Sequence, residues 1–223
     1  PLLRKIDRFP GFQQNVGAKM ESILLRKKGY ARGKVFSELL RNTPLIAAVL
    51  NGEDLKKYLG TKAAILSLLF GDIRTVSSIV EECKAGGKFT LVHLDFIEGL
   101  SSRDIAVDFI ADSTKADGIV STKPNLIRRA KARGLVAVQR FFLIDSISLA
   151  NLEKQLPLEN ADALEIMPAL MPKVIRRIAR ISPIPIIAGG LISDAEDVRN
   201  ALEAGAVSAS ASKIELLEEY YHG

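Results

Sequence analysis

Ile184-Pro185-Ile186-Ile187-Ala188-Gly189-Gly190 is an apolar run that stops on two glycines. A polar turn and the amphipathic stretch Ala195–Glu203 follow, then Ala204-Gly205 and a second run, Ala206-Val207-Ser208-Ala209-Ser210. A short apolar run, a helix-period segment and another short run form one βαβ unit. Asp194 ahead of Ala195 and Glu196 supplies a side-chain acceptor for the free N–H groups of the helix start. Gly205 supplies a residue at ease in the left-handed conformation that closes helices.

Working outward, the same alternation fills the chain from residue 44. The spacing predicts further strands over Leu45–Leu50, Ala64–Phe70, Phe89–Asp95, Gly118–Ser121, Leu135–Phe141 and Ala163–Met167. Helices are predicted over Glu53–Leu59, Arg74–Lys84, Ser102–Ala111, Leu126–Ala132, Ser146–Lys154, Leu170–Ala179 and Ile214–Tyr221, with Ser102 as a cap. Runs rich in Val, Ile, Leu and Ala, without strict polar alternation, belong to strands covered on both faces. Eight such units in series predict an α/β protein, a single (β/α)8 barrel over residues 43–223. At about 22 residues per unit the barrel is short against the usual total of roughly 250 residues. An open doubly wound sheet, the other all-parallel option, leaves two or three units unused.

Residues 1–42 form a basic N-terminal extension. Ten Lys/Arg against Asp7, Glu21 and Glu38 give +7, while the whole chain carries +5, so residues 43–223 sum to −2. A basic arm on a near-neutral body attracts nucleic acid or an anionic surface, and a solvated tail with Met20 as first residue explains it equally well. Within the extension, Val35, Phe36, Leu39 and Leu40 share one face of a short helix over 34–42, placed to plug the bottom of the barrel.

Composition narrows the function. One cysteine, Cys83, excludes a disulfide framework and a multi-cysteine zinc site, and two histidines leave no two- or three-histidine metal centre. No metal or cofactor is expected. No run approaches the roughly 18 apolar residues of a membrane helix, so the expected location is the cytoplasm.

Ligands of such barrels bind where the strands end. There the sequence places His93 and Asp95, two apart and so on one face, then Glu98. It also places Ser121 with Lys123, Gln139-Arg140, Glu165 and, after the second strand, Asp72. Gly189 and Gly190, with Ser210, Ser212 and a helix start near Ser210 to Lys213, form the expected phosphate site, because backbone N–H groups without a bulky neighbour accept an oxyanion. Three readings of Lys123 stay open: a Schiff base with a carbonyl, a hold on an anion, or a pair with Glu165. His93 with Asp95 reads as an acid/base pair, a binding pair or a structural contact. Basic residues crowd two helices, Arg128, Arg129, Lys131 and Arg133 on one and Arg176, Arg177 and Arg180 on the other. No RNA-stacking motif accompanies them.

Six consecutive blocks carry a family resemblance. They are Leu68-Leu69-Phe70-Gly71-Asp72-Ile73, Val92-His93-Leu94-Asp95-Phe96-Ile97-Glu98-Gly99-Leu100, Asp117-Gly118-Ile119-Val120-Ser121-Thr122-Lys123, Gln139-Arg140-Phe141-Phe142-Leu143-Ile144-Asp145-Ser146, Glu165-Ile166-Met167-Pro168 with Met171-Pro172-Lys173, and Ile187-Ala188-Gly189-Gly190-Leu191-Ile192. In this order the chain resembles the glycerol uptake operon antiterminator family. Ala169 and Ala211 depart from it, standing where the family prefers Gly and Thr. The resemblance implies a regulator without catalytic residues that binds glycerol 3-phosphate and an mRNA leader, and it assigns no RNA contacts. The expected ligand set is Gly189, Gly190, Ser210 and Ser212 for phosphate. His93, Asp95, Glu98, Lys123, Arg140 and Glu165 are expected to hold the polyol or balance charge. Homo-oligomerisation is compatible with the sequence. The competing reading is a phosphosugar aldolase, isomerase or epimerase.

Overall fold

A computed structural model describes residues 32–222 apart from 157 and 159, so residues 1–31 of the basic extension lie outside the described residues. Eight parallel strands close into a barrel in sequence order. They are β1 (Leu45–Val49), β2 (Ile65–Leu68), β3 (Phe89–His93), β4 (Gly118–Ser121), β5 (Val136–Phe142), β6 (Ala163–Met167), β7 (Ile186–Gly189) and β8 (Ser208–Ala211). Closure is made by β1 against β8, with Leu45 opposite Ala209 and Ile46 opposite Ser210. The strands are buried on both faces, which is why their sequences lack alternation.

Helices α1 (Arg32–Arg41), α2 (Gly52–Leu59), α3 (Val76–Ala85), α4 (Asp104–Ser113), α5 (Pro124–Ala132), α6 (Ser146–Gln155), α7 (Pro172–Ala179), α8 (Ala195–Glu203) and α9 (Ile214–His222) complete the described elements. None is long and apolar enough to cross a membrane. Their inward stripes meet the outer faces of the strands in one apolar layer.

A second layer fills the barrel. Ile46, Ile65, Phe89, Leu91, Val120, Val136, Val138, Ala163 and Ile187 point inward, and Phe36 and Leu40 of α1 close the strand-entry end beneath them. The rings of Phe36 and Phe89 stack at 5.4 Å. The expected plug is therefore present.

Local signals explain the element ends. Asp194 accepts from the Asp197 N–H, as its position implies, and Asp145 caps α6 through the Ser148 N–H. Gly87, Gly134 and Gly205 take positive φ after α3, α5 and α8. Ser102 is not a cap: Arg103 precedes α4 without a side-chain bond, and the Ser102 hydroxyl meets the Lys123 amine instead. The helix expected from Leu170 begins at Pro172, where the absent N–H costs nothing. β3 ends at His93 rather than Asp95, because Leu94–Phe96 turn into a 3-10 helix that buries Leu94.

Two aspartates fasten the strand-entry end. Asp117 accepts from the Thr90 N–H at 2.8 Å and pairs with Lys84, and Asp162 accepts from the Ala137 N–H at 2.9 Å and pairs with Lys131.

Candidate functional site

Above the apolar filling, the inward positions change character. Alternation along each strand puts Ser67 of β2, His93 of β3, Arg140 of β5, Glu165 of β6, Gly189 of β7 and Ser210 of β8 in one layer at the mouth. All five side chains of this layer are buried. Gln139, one residue from Arg140, takes the opposite face of β5.

Arg140 and Glu165 face each other across the β5–β6 ladder, and Arg140 Nε donates to Glu165 Oε2 at 2.7 Å. The alternative pairing of Lys123 with Glu165 is not formed. Lys123 precedes α5, where its amine lies 3.4 Å from Asp95 Oδ1 and bonds Ser102. It is drawn away from the carboxylate by a nearer one.

His93 differs from both. It is 1% exposed, and neither ring nitrogen has a hydrogen-bond partner; the Ser67 hydroxyl is in the same condition. Asp95 Oδ2 stands 3.9 Å from Nδ1, beyond a hydrogen bond. Burial, reinforced by the Arg140 charge and opposed by Asp95, holds the His93 pKa far below its ordinary value, so the ring is neutral. A neutral imidazole offers one donor and one acceptor. Buried polar atoms of this kind are normally satisfied, and leaving them so costs about 1–3 kcal/mol each.

Asp95 organises the adjoining loop. Partial burial opposes its ionisation, but the Thr122 N–H at 3.0 Å, the Lys123 charge and the Ser121 hydroxyl prevail and hold its pKa below the ordinary carboxylate range. Glu98 stands apart: it is exposed, and its side chain forms no hydrogen bond or ion pair with the described residues. Its backbone instead joins the loops after β2 and β3, donating to the Gly71 carbonyl and accepting from the Ile73 N–H. Asp72 likewise turns to its own helix start, where the Arg74 N–H foremost, then the Thr75 groups, lower its pKa.

The turn after β7 runs through left-handed backbone. A side chain on Gly189 would stand 3.0 Å from Glu165 Oε1, and Gly190 has φ +77°. Leu191 follows at φ +63°, a conformation that costs a leucine about 1–2 kcal/mol. The N–H groups of Gly190, Leu191, Ser212 and Lys213 donate to no described residue. The Ser210 hydroxyl is also without such a partner. Ser212 is exposed, and its carbonyl accepts from Tyr58 at 2.6 Å. The helix expected near Ser210 to Lys213 is α9 itself, beginning at Ile214.

Sequence reasoning passed over Ser67, hidden as a single small residue within Ile65-Leu66-Ser67-Leu68. Its signal was the two-residue period shared with Ile65. The basic helices are neutralised in part: Arg129 and Arg133 pair with Asp108, Arg133 also with Asp112, and Arg177 with Glu153, while Arg128, Arg176 and Arg180 are exposed and form no ion pair with the described residues. A cleft of about 440 Å³ on the outer flank, lined by Asn51, Glu53, Lys56, Phe70, Ile79 and Glu82 among others, holds none of the unsatisfied atoms.

Residues 45–217 match the model of the family described as glycerol-3-phosphate responsive antiterminator. The Escherichia coli (strain K12) protein YgcP is 41% identical over 174 residues, 78% of this chain and 91% of that protein. The crystal structure of the glycerol uptake operon antiterminator regulatory protein from Listeria monocytogenes str. 4b F2365 superposes with a TM-score of 0.74 at 32% identity, covering 77% of this chain and 93% of that one. A glycerol uptake operon antiterminator-related protein from Thermotoga maritima MSB8 gives 0.69 at 29% identity, covering 79% and 98%. Barrels named as aldolases match at 15–16% identity, a likeness of fold alone. On the family model and on the identity to YgcP, the chain belongs to the glycerol-3-phosphate responsive antiterminator family.

Proposed function

We propose that this protein takes glycerol 3-phosphate, or a phosphate ester much like it, into the barrel mouth, and in that state acts on the leader transcript of glycerol-metabolism genes to prevent early termination. The observation that carries the reading is the orphaned layer of Ser67 and His93, buried polar atoms facing a mouth beside a neutral ring. A bound polyol supplies what both lack, since a hydroxyl donates and accepts at once. The phosphate goes to the turn after β7 and the start of α9, where Gly190, Leu191, Ser212 and Lys213 offer N–H groups and Gly189 leaves the room. Arg140, held in place by Glu165, brings further N–H donors to the same chamber. Ligand and RNA affinities then rise together by linkage.

The enzyme reading has less to stand on. Lys123 lies outside the inward layer and its amine is engaged by Asp95 and Ser102. The likeness to aldolases is confined to the fold. Titration calorimetry with glycerol 3-phosphate, glycerol and inorganic phosphate tests the ligand, and a gel shift with a glycerol-operon leader, with and without the ester, tests the response. The reading expects heat from the ester at micromolar to millimolar concentrations and tighter RNA binding in its presence. Absence of heat at millimolar ester removes it.

A further inference from the structure

The charges of the barrel are sorted by end. First turns, at the mouth, carry Glu53 and Asp54, Asp104, Glu196 and Asp197, and Glu215. Last turns, at the strand-entry end, carry Arg41, Lys57, Lys84, Lys131 and Lys154. Helix dipoles favour this sorting, and since all eight barrel helices run the same way, the small preferences add into a molecular polarity. At the entry end, Asp117 and Asp162 are consumed by Lys84, Lys131 and strand N–H groups. What remains free there leans positive. Arg41, Lys57, Lys62, Lys154 and Arg180 are exposed and form no ion pair with described residues, against Glu82, Glu203, Glu218 and Glu219. Lys62 and Arg180 lie beyond the last turns, where the dipole argument does not call for them. The sequence before α1 carries charge of the same sign: seven Lys/Arg against Asp7 and Glu21 give +5 over residues 1–31.

We infer that RNA is held at the strand-entry end around α1, opposite the mouth that holds the effector. The inference rests on the proposed function for the binding of RNA at all, and adds where. On the flanks Arg129, Arg133 and Arg177 are paired with carboxylates of α4 and α6, and the exposed Arg128 and Arg176 stand on separate helices. The mouth is less suited, because four of its eight helix starts carry acids that repel an extended run of RNA phosphates, whereas the effector's single phosphate is met by N–H groups at the turn after β7. Two ligands at opposite ends also explain how a small metabolite affects RNA without competing for its surface.

The test is filter binding of a glycerol-operon leader RNA from 50 to 300 mM salt, using the full chain. The variant Arg41→Glu/Lys62→Glu/Arg180→Glu is expected to bind at least tenfold more weakly, with a shallower salt dependence. Its calorimetric response to glycerol 3-phosphate should be unchanged, which also certifies the fold. Lys57→Glu/Lys154→Glu, on separate helices, repeats the measurement should the triple variant misfold. The flank variant Arg128→Glu/Arg176→Glu is expected to bind like the parent. Normal RNA binding by both entry-end variants, or a loss confined to the flank variant, overturns the inference while sparing the function. A parent chain that ignores the leader at every salt concentration, or prefers anionic vesicles, overturns the function and the inference with it.

Discussion

Arg140 and Glu165 sit opposite each other on neighbouring strands, joined at 2.7 Å, with side chains 4% and 5% exposed. Such a pair adds little to stability against an apolar replacement, yet losing one partner strands the other charge at a cost of about 3–5 kcal/mol. Glu165→Leu is therefore expected to lower the urea-unfolding free energy by about that amount, and Arg140→Leu/Glu165→Leu to recover most of it. Equal losses in the single and double variants would show that the pair is not coupled. The double variant, although folded, should give no heat with glycerol 3-phosphate.

His93→Leu separates a structural histidine from a binding one. The ring nitrogens have no partner to lose, so the change removes unsatisfied polar atoms and is expected to hold or raise the melting temperature. Effector affinity should fall at least tenfold in calorimetry. A variant that melts lower and binds normally would make His93 a packing residue.

The buried ring also sets an acid response. A pKa held below the unfolded value near 6.5 means that the unfolded chain takes up the proton first. Stability contributed by the neutral ring is whole above about pH 6.5 and declines below it, by up to about 1.4 kcal/mol per pH unit. Asp95, whose pKa is also lowered, keeps its contribution above the unfolded carboxylate value near 3.9 and loses it only as pH falls further. Between pH 6.5 and 4.5 the slope thus belongs to His93. Urea midpoints should fall across that interval in the parent and stay flatter in His93→Leu; parallel curves would assign the slope elsewhere.

The turn after β7 gives a paired prediction. Gly190→Ala places a side chain at φ +77°, at a cost of about 1–2 kcal/mol, and sets its methyl 2.7 Å from the Met167 Cε atom. Leu191→Gly relieves the same conformation one residue later and is expected to leave stability unchanged or raised by up to about 1 kcal/mol. Leu191 is 72% exposed, so no packing is lost. Thermal melts of both variants decide; a destabilised Leu191→Gly would mean that the leucine itself is needed.

Strand number and order were legible because burial on both faces writes itself as unbroken apolar runs. The ends were less so. Leu94 prolonged the reading of β3 because the turn that follows is itself buried, and periodicity does not separate a buried turn from a buried strand. Ser102 resembled a cap until Lys123, from the next unit, took its hydroxyl. The pairing of α5 with α4 did leave a trace in the sequence: Asn125, Arg129 and Arg133 follow Asp104, Asp108 and Asp112 respectively by 21 residues, close to one unit of the barrel. Which carboxylate Arg140 would choose had no such trace, since it depends on the register between β5 and β6.

Phe36, stacked on Phe89, makes the barrel a cup rather than a tube. A metabolite enters and leaves such a cup by the same doorway, and no solute passes through its floor. On the proposed function and the inferred RNA site, its arrival would reach the far side as a nudge of packed side chains, and β3 lines them up: His93, then Leu91, then Phe89, then the ring of Phe36 on the floor helix.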